Sequence, residues 1–356
     1  MSSIPVALPG RGDLKSTDSV RGGLTVQVTV WGAGAIGGVV GAWLVRNGVD
    51  VLFVDQDAAH VEAMNRNGLF VDGIRGEFRV PVKAVVPDDV RGPLGTVLLA
   101  VKCLHTETAV RQMMPHLTPE SAVVSLQNGL NEELIAKLIG PERTVGCFVN
   151  FGADWQAPGH IRHGGEHPLY IGELDGRRTG RVEALQRLLS GFCETIVTDN
   201  IWGYLWSKLA YASILFATAL VDAHVYEVVA DPLARPVLAG LAREVLVVAR
   251  AYGIRPERLV EFWPDEFEAG DYDRAFDRIA AHYRGQIKTK SGIWRDLAVR
   301  HRRTEVDCQV GVAIEKGRAV GLDLPLNRQL QTLTHELEAG TRQMSWDNFR
   351  AFNLNS

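Results

Sequence analysis

The twenty residues 201–220, IWGYLWSKLAYASILFATAL, carry one charge, Lys208. A lysine is seldom fully buried unless it is paired or has a chemical task. Read as a helix, the stretch places Lys208, Ala212, Leu215, Phe216 and Ala219 on one face. An ammonium that shares its face with apolar groups is partly desolvated, which lowers its pKa and suits it to donate a proton. The competing reading is a lysine that lays its stem on apolar surface and keeps its head in water.

A second constellation lies near residue 32. Gly32, Gly34 and Gly37 form G-x-G-x-x-G, with Ala35 and Ile36 between the last two. A strand over 26–31 precedes it and a helix to about residue 47 follows. A second strand over 51–54 then leads into Asp55, 18 residues past Gly37. In that setting the glycines let the backbone approach a pyrophosphate at a helix N-terminus, so the unit reads as dinucleotide-binding. A carboxylate ending the second strand bonds a ribose 2′-hydroxyl and repels a 2′-phosphate, which favours NAD(H). No arginine adjoins Asp55; Gln56 and Asp57 follow. The alternative for Asp55 is a cap on the helix that starts near residue 58.

Further elements must position these groups. Segments 68–72 and 76–82 read as a hairpin. Runs 96–102 and 122–129 are apolar and bounded by turn signals, as buried parallel strands are. They end in Lys102 and Asn128. Ligands of open α/β sheets sit beyond strand C-termini, so both residues point to the nicotinamide end of the site; each is otherwise a strand-end cap or a solvated group. From about residue 181 the period becomes helical, with helices over 180–192, 201–224, 231–252, 270–282, 303–320 and 327–339. The expected organisation is a loose leader over 1–25, an α/β dinucleotide-binding domain over 26–180 and an all-helical domain over 181–356. Substrate is expected between the two domains.

The chain has 356 residues, 46% hydrophobic and 22% charged, with a net charge of -4. Its basic residues are scattered, so no nucleic-acid footprint is visible. No apolar run approaches a membrane span. Cys103, Cys147, Cys193 and Cys308 are far apart and form no C-x-x-C, so free thiols in a reducing cytoplasm are expected. His160, His163 and His167 cluster in GHIRHGGEH, but no acidic or cysteine partner has metal-site spacing, and no metal is expected.

With these residues in place, the chain resembles the ketopantoate reductase (2-dehydropantoate 2-reductase) family from about residue 26 to residue 340. GAGAIGG at 32–38 is similar to the family's phosphate loop, AVK at 100–102 to its strand-end lysine and QNGLNEE at 127–133 to its strand-end asparagine. LWSKLAYAS at 205–213 resembles the catalytic-lysine helix, and RDLAVRHRRTEVD at 295–307 the segment carrying its functional glutamate. The resemblance implies a Rossmann-like doubly wound sheet followed by an all-helical domain of the 6-phosphogluconate-dehydrogenase kind. It implies Lys208 as general acid, Glu305 bonding the reacting hydroxyl and holding Lys208 charged, and Lys102 and Asn128 at the cofactor–substrate junction. By family norm the cofactor is NADP(H), the alternative to NAD(H).

The departures are specific. The family's lysine helix carries substrate-binding asparagines where this chain has Ala212 and Phe216. Its serine before the RDL segment falls at Gly292, beside Ser291, and its phosphate-reading arginine falls near Gln56. The segment up to Glu305 is one residue longer than the family pattern. Catalytic groups kept while substrate contacts change imply a reductase of a 2-oxo acid or related carbonyl compound other than ketopantoate, with an apolar or aromatic side chain. Its carboxylate is expected near Lys290, Ser291 or Arg295; Trp294 and Arg295 either touch substrate or pack. The small-molecule carbonyl substrate is the expected partner, and a homodimer is left open. The alternatives are a true 2-dehydropantoate 2-reductase, a β-hydroxyacid dehydrogenase or a non-catalytic nucleotide-binding protein.

Overall fold

A computed structural model describes residues 28–285 and 289–353. The expected leader and the first two residues of the 26–31 strand lie outside them. The strands are β1 (Val28–Trp31), β2 (Val51–Val54), β3 (Leu69–Gly73), β4 (Phe78–Val80), β5 (Lys83–Val85), β6 (Leu94–Leu99), β7 (Leu117–Ser125), β8 (Thr144–Phe148), β9 (Ala153–Ala157), β10 (His160–His163), β11 (Leu169–Glu173) and β12 (Thr195–Val197). The first helices are α1 (Ala35–Arg46), α2 (Ala58–Asn67), α3 (Thr106–Met113), α4 (Glu132–Ile139) and α5 (Gly180–Leu189).

Eight strands form one sheet in the order β12-β11-β8-β7-β6-β1-β2-β5. Its pairs are parallel except β8 with β11. The central strands are rich in Val and Leu because both faces are covered: one apolar cluster includes Val30, Leu98 and Val124, the other Val97, Leu99 and Val123. The 68–82 hairpin forms as β3 and β4, but it joins a separate four-stranded sheet, β4-β3-β10-β9, packed against α1. Strand β12 still belongs to the large sheet and α5 packs against it, so this unit runs further along the chain than the expected 26–180.

The remaining helices are α6 (Ile201–Thr218), α7 (Val225–Val228), α8 (Ala234–Ala251), α9 (Pro264–Ala269), α10 (Tyr272–Arg284), α11 (Gly292–Ala298), α12 (Val312–Ala319), α13 (Pro325–Glu338) and α14 (Asp347–Arg350). Asn200 starts α6 by accepting from the Gly203 N–H at 3.2 Å. Being apolar nearly all round, α6 lies inside the helical core against α8 and α13. A buried polar chain fixes its rotation: Ser213 Oγ donates to Asn327 Oδ1 at 2.8 Å, and Asn327 Nδ2 donates to Glu244 Oε2 at 2.8 Å. The expected 303–320 helix is not continuous. A π-helical turn, Asp307–Gly311, opens it and α12 follows. Among the described residues no helix is long and apolar enough to cross a membrane.

Candidate active site between the two domains

A cleft of about 790 Å³ runs from the glycine loop, past the C-terminal ends of the central strands, to α6, α10 and α11. The glycines work as their spacing predicts. Gly32 has φ +97°, and an added Cβ would lie 2.7 Å from the Val101 nitrogen. Gly37 allows no Cβ either, since one would sit 2.1 Å from the Gly32 oxygen. At Gly34, the residue before α1, an added Cβ would meet nothing within 4 Å. That open space lies where the unbonded N–H groups of the first turn of α1 face the cleft, so the loop fits a dinucleotide pyrophosphate. Ala35 and Ile36 line the same end.

Asp55 also lies in this wall. Its Oδ2 accepts from the Ala33 N–H at 2.8 Å and its Oδ1 from the Asp57 N–H at 3.0 Å. The carboxylate thus braces the glycine loop, and each oxygen keeps a lone pair for a ribose hydroxyl. Asp55 does not cap α2. Asp57 does, accepting from the N–H groups of Ala59 and His60.

Lys208 rises from α6 into the cleft. Its ammonium donates to the Val149 carbonyl just past β8 and lies 5.4 Å from the centre of the Phe148 ring. Burial lowers its pKa to about 8, against an opposing pull led by Glu305 and including Glu261. No ion pair within 4.0 Å joins Lys208 and Glu305 among the described residues. Glu305 Oε1 instead accepts from the Cys103 N–H at 3.1 Å, so Glu305 is held at the end of β6 and acts on Lys208 through space.

Lys102 and Asn128 lie beyond the ends of β6 and β7 and line the cleft. Lys102 Nζ donates to Asp296 Oδ2 at 2.7 Å, an ion pair between the two domains. Asp296 also binds Arg300 and Arg302. Burial alone would raise the Asp296 pKa, but Lys102 and Arg302 hold it below the usual value. Three cations around one carboxylate leave net positive charge on this wall. Gly129, at φ +95°, turns the chain after Asn128; a Cβ there would lie 2.6 Å from the Cys308 oxygen.

Three expectations need correction. Arg295 is absent from the cleft wall: it leaves α11 toward Asp154, with which it pairs. Trp294 turns away too, donating to Asp222 at 3.0 Å. Lys290 and Ser291 do line the cleft, but Lys290 pairs with Asp222, and Ser291 caps α11 by accepting from the Trp294 N–H at 3.1 Å. The cysteines are not all free. Cys103 and Cys308 form a disulfide across a separation of 205 residues, because the fold sets the end of β6 against the π-helical turn. Cys147 and Cys193 are free and buried. The Cys103 and Cys308 sulfurs lie with a Glu305 oxygen within 4.8 Å, but sulfurs bonded to each other offer no thiolate to a metal. The three histidines diverge: His160 meets Asp72, His163 packs on Phe151 and Phe192, and His167 faces His282 in the cleft.

Ala212 and Phe216 line the cleft as their spacing from Lys208 predicts. Tyr211, three residues beyond Lys208, joins them, a position the sequence did not single out. Glu261 lines the cleft as well. Its segment, between α8 and α9, is charge-rich and gave no sign of a buried acid. Asp296, Arg300 and Arg302 were equally hidden within a basic run.

This geometry defines a nicotinamide-dependent oxidoreductase acting on CH–OH groups: a Rossmann-type loop, a strand-end cleft and a desolvated lysine beneath it. Comparison narrows the class. The pattern of ketopantoate reductase PanE/ApbA matches residues 28–176, and that of its C-terminal domain matches residues 200–338. The chain belongs to the ketopantoate reductase family. It is 30% identical over 318 residues to the 2-dehydropantoate 2-reductase of Archaeoglobus fulgidus, covering 88% of this chain and 98% of that protein. It is 30% identical to that of Mesorhizobium japonicum, covering 84% and 94%. The crystal structure of a PanE/ApbA family ketopantoate reductase from Ralstonia eutropha superposes with a TM-score of 0.76 at 28% identity, over 88% of this chain and 99% of that one. D-mandelate dehydrogenase with NADH and anilino(oxo)acetate shares the fold, with a TM-score of 0.76 at 22% identity and coverage of 88% and 99%.

Proposed function

We propose that the chain reduces a 2-oxo acid to the 2-hydroxy acid, with Lys208 as proton donor. The observation that carries this reading is a lysine on an apolar helix, its pKa lowered to about 8 by burial, facing the cleft that begins at the glycine loop. The glycine loop and Asp55 would hold the nicotinamide cofactor, which would supply hydride to the carbonyl carbon. Negative charge then builds on the carbonyl oxygen, where the Lys208 ammonium stabilises it and hands over a proton. Glu305, held by the Cys103 N–H, favours the charged lysine before transfer. The net positive wall of Lys102, Arg300 and Arg302 suits the substrate carboxylate.

The finer reading concerns cofactor and substrate. Asp55 in the cleft wall, followed by Gln56 and Asp57, supports NADH over NADPH. Nicotinamide fluorescence titration tests it: tighter NADH binding is expected, and equal or tighter NADPH binding contradicts it. Ala212 and Phe216, both lining the cleft, support a substrate other than ketopantoate, with an apolar or aromatic body. The second reading, a true 2-dehydropantoate 2-reductase, is favoured by the named relatives that match over nearly their full length. A screen of 2-oxo acids with both cofactors separates the two. A tenfold or greater preference in kcat/KM for ketopantoate over 2-oxoisovalerate and phenylpyruvate would establish the second.

A further inference from the structure

The disulfide lies within the site. Cys103 directly follows Lys102, and Cys308 follows Glu305 by three residues in the π-helical turn. The two sulfurs bracket that glutamate: Cys103 Sγ lies 3.1 Å from Glu305 Oε1, and Cys308 Sγ lies 3.7 Å from the Glu305 carbonyl oxygen. A disulfide sulfur carries no hydrogen, so it offers Oε1 nothing, and the Cys103 N–H is the donor that Oε1 keeps. A thiol in the same place would donate.

The other cysteines set a contrast. Cys147 and Cys193 are free and buried, and burial raises both thiols above their ordinary value, so neither is a ready nucleophile. Thiol chemistry among the described residues therefore centres on the pair at Glu305. Closing a long loop needs no functional neighbour, yet this bond lies between Lys102 and Glu305 of the cleft wall.

We propose that Cys103 and Cys308 are a thiol–disulfide switch that acts on the proton donor through Glu305, opened by a dithiol reductant and closed by a disulfide oxidant. The proposal rests on the reading of Lys208 as proton donor. Cys103 is 7% exposed and Cys308 is half-buried, so the attacking thiolate reaches the Cys308 sulfur. The S–S bond breaks, and its electron pair leaves on the Cys103 sulfur, which takes up a proton. The second thiol of the reductant then attacks the mixed disulfide, frees the Cys308 thiol and leaves the reductant as a disulfide. Two electrons and two protons pass to the pair in all. The Glu305 carboxylate disfavours a thiolate beside it, so Cys103 stays as S–H. That S–H donates to Oε1 and offsets part of the charge that Lys208 feels. Glu305 leads the influences that keep Lys208 charged, so reduction weakens the hold on the ammonium. Lys102 remains paired with Asp296, so the domains stay tied and the effect is local to the donor.

The test uses the full chain equilibrated with reduced or with oxidised dithiothreitol. Thiols are counted under denaturant, and 2-oxo acid reduction is followed over about pH 6–10. The count should pass between two and four as the buffer is exchanged. On reduction the alkaline limb of the rate should move to lower pH, so that the ratio of rates at pH 7 and pH 9 grows roughly two- to threefold. Two variants separate the thiol from the cross-link, with circular dichroism to show that each is folded. Cys308→Ser leaves the Cys103 thiol without a partner and should match the reduced enzyme in both buffers. Cys103→Ala removes bond and thiol together and should keep the oxidised limb. A limb that ignores the redox state, one that moves as far in Cys103→Ala, or a thiol count that the buffers cannot interchange overturns the switch and leaves the reductase reading intact. A protein that binds cofactor but reduces no 2-oxo acid in either state overturns the reductase reading, and the switch with it.

Discussion

In the proposed mechanism Lys208 donates the proton, and its environment sets a measurable property. Burial brings its pKa to about 8, with Glu305 the strongest opposing influence. In that mechanism reduction consumes the proton on Nζ, so the active form is the ammonium. The rate of reduction should be flat below about pH 8 and fall roughly tenfold per unit above it, while oxidation of the hydroxy acid should rise over the same interval. A reduction profile flat to pH 10 would show that Lys208 is solvated or is not the donor. The residues that spacing and family resemblance single out, Lys208, Glu305, Lys102 and Asn128, do converge on one cleft. Those that escaped were of two kinds. Tyr211 and Glu261 carry no motif, and their meaning depends on burial. Arg295 was expected at the substrate but pairs with Asp154, because spacing cannot tell which way a residue leaves a short helix.

At the scale of elements, the strand ends act together. β1, β6, β7 and β8 run parallel, so their C-terminal ends deliver Gly32, Lys102, Asn128 and Val149 to one edge. This much follows from apolar runs bounded by turns. The π-helical turn did not, since the 303–320 stretch carries an unbroken helical period. Helix α4 carries a cost of its own. Glu132, at its first turn, is fully buried, and desolvation pushes its pKa up to about 7 from an ordinary 4.5. A raised carboxyl pKa gives stability that is present at low pH and lost as pH rises through the folded value. Between pH 5 and 8 this group alone should cost about 2 kcal/mol. Glu132→Gln should therefore flatten the fall in stability to urea over that range, with little difference from wild type at pH 5. Parallel pH profiles for the two proteins would contradict the assignment.

Across the whole molecule, the two domains are tied at the site itself. Lys102 pairs with Asp296, and Cys103 is bonded to Cys308, so the end of β6 is fastened to the segment that carries Glu305. The two-domain plan was legible because strands bounded by turns alternate with helices in the first half, and the period becomes helical throughout from about residue 181. The disulfide was not, because cysteines 205 residues apart show no spacing signal and only the fold brings their Cα atoms to 6.2 Å. A cross-link closing so long a loop constrains the unfolded chain by roughly 5 kcal/mol in the chain-entropy view. Denatured protein without reductant should show two titratable thiols, from Cys147 and Cys193. Dithiothreitol or Cys308→Ser should lower Tm by roughly 5–10 °C. Four thiols in the untreated protein, or a Tm indifferent to reductant, would show the pair to be reduced.

Proton donation by Lys208 is the central claim, and one measurement reaches it most directly: kcat for Lys208→Ala at saturating cofactor and 2-oxo acid, with cofactor affinity taken from the same protein by nicotinamide fluorescence. The account predicts a fall in kcat of about 10²–10⁴-fold with cofactor affinity nearly unchanged. A variant that turns over at close to the wild-type rate would contradict it and return Lys208 to a lysine that merely covers apolar surface.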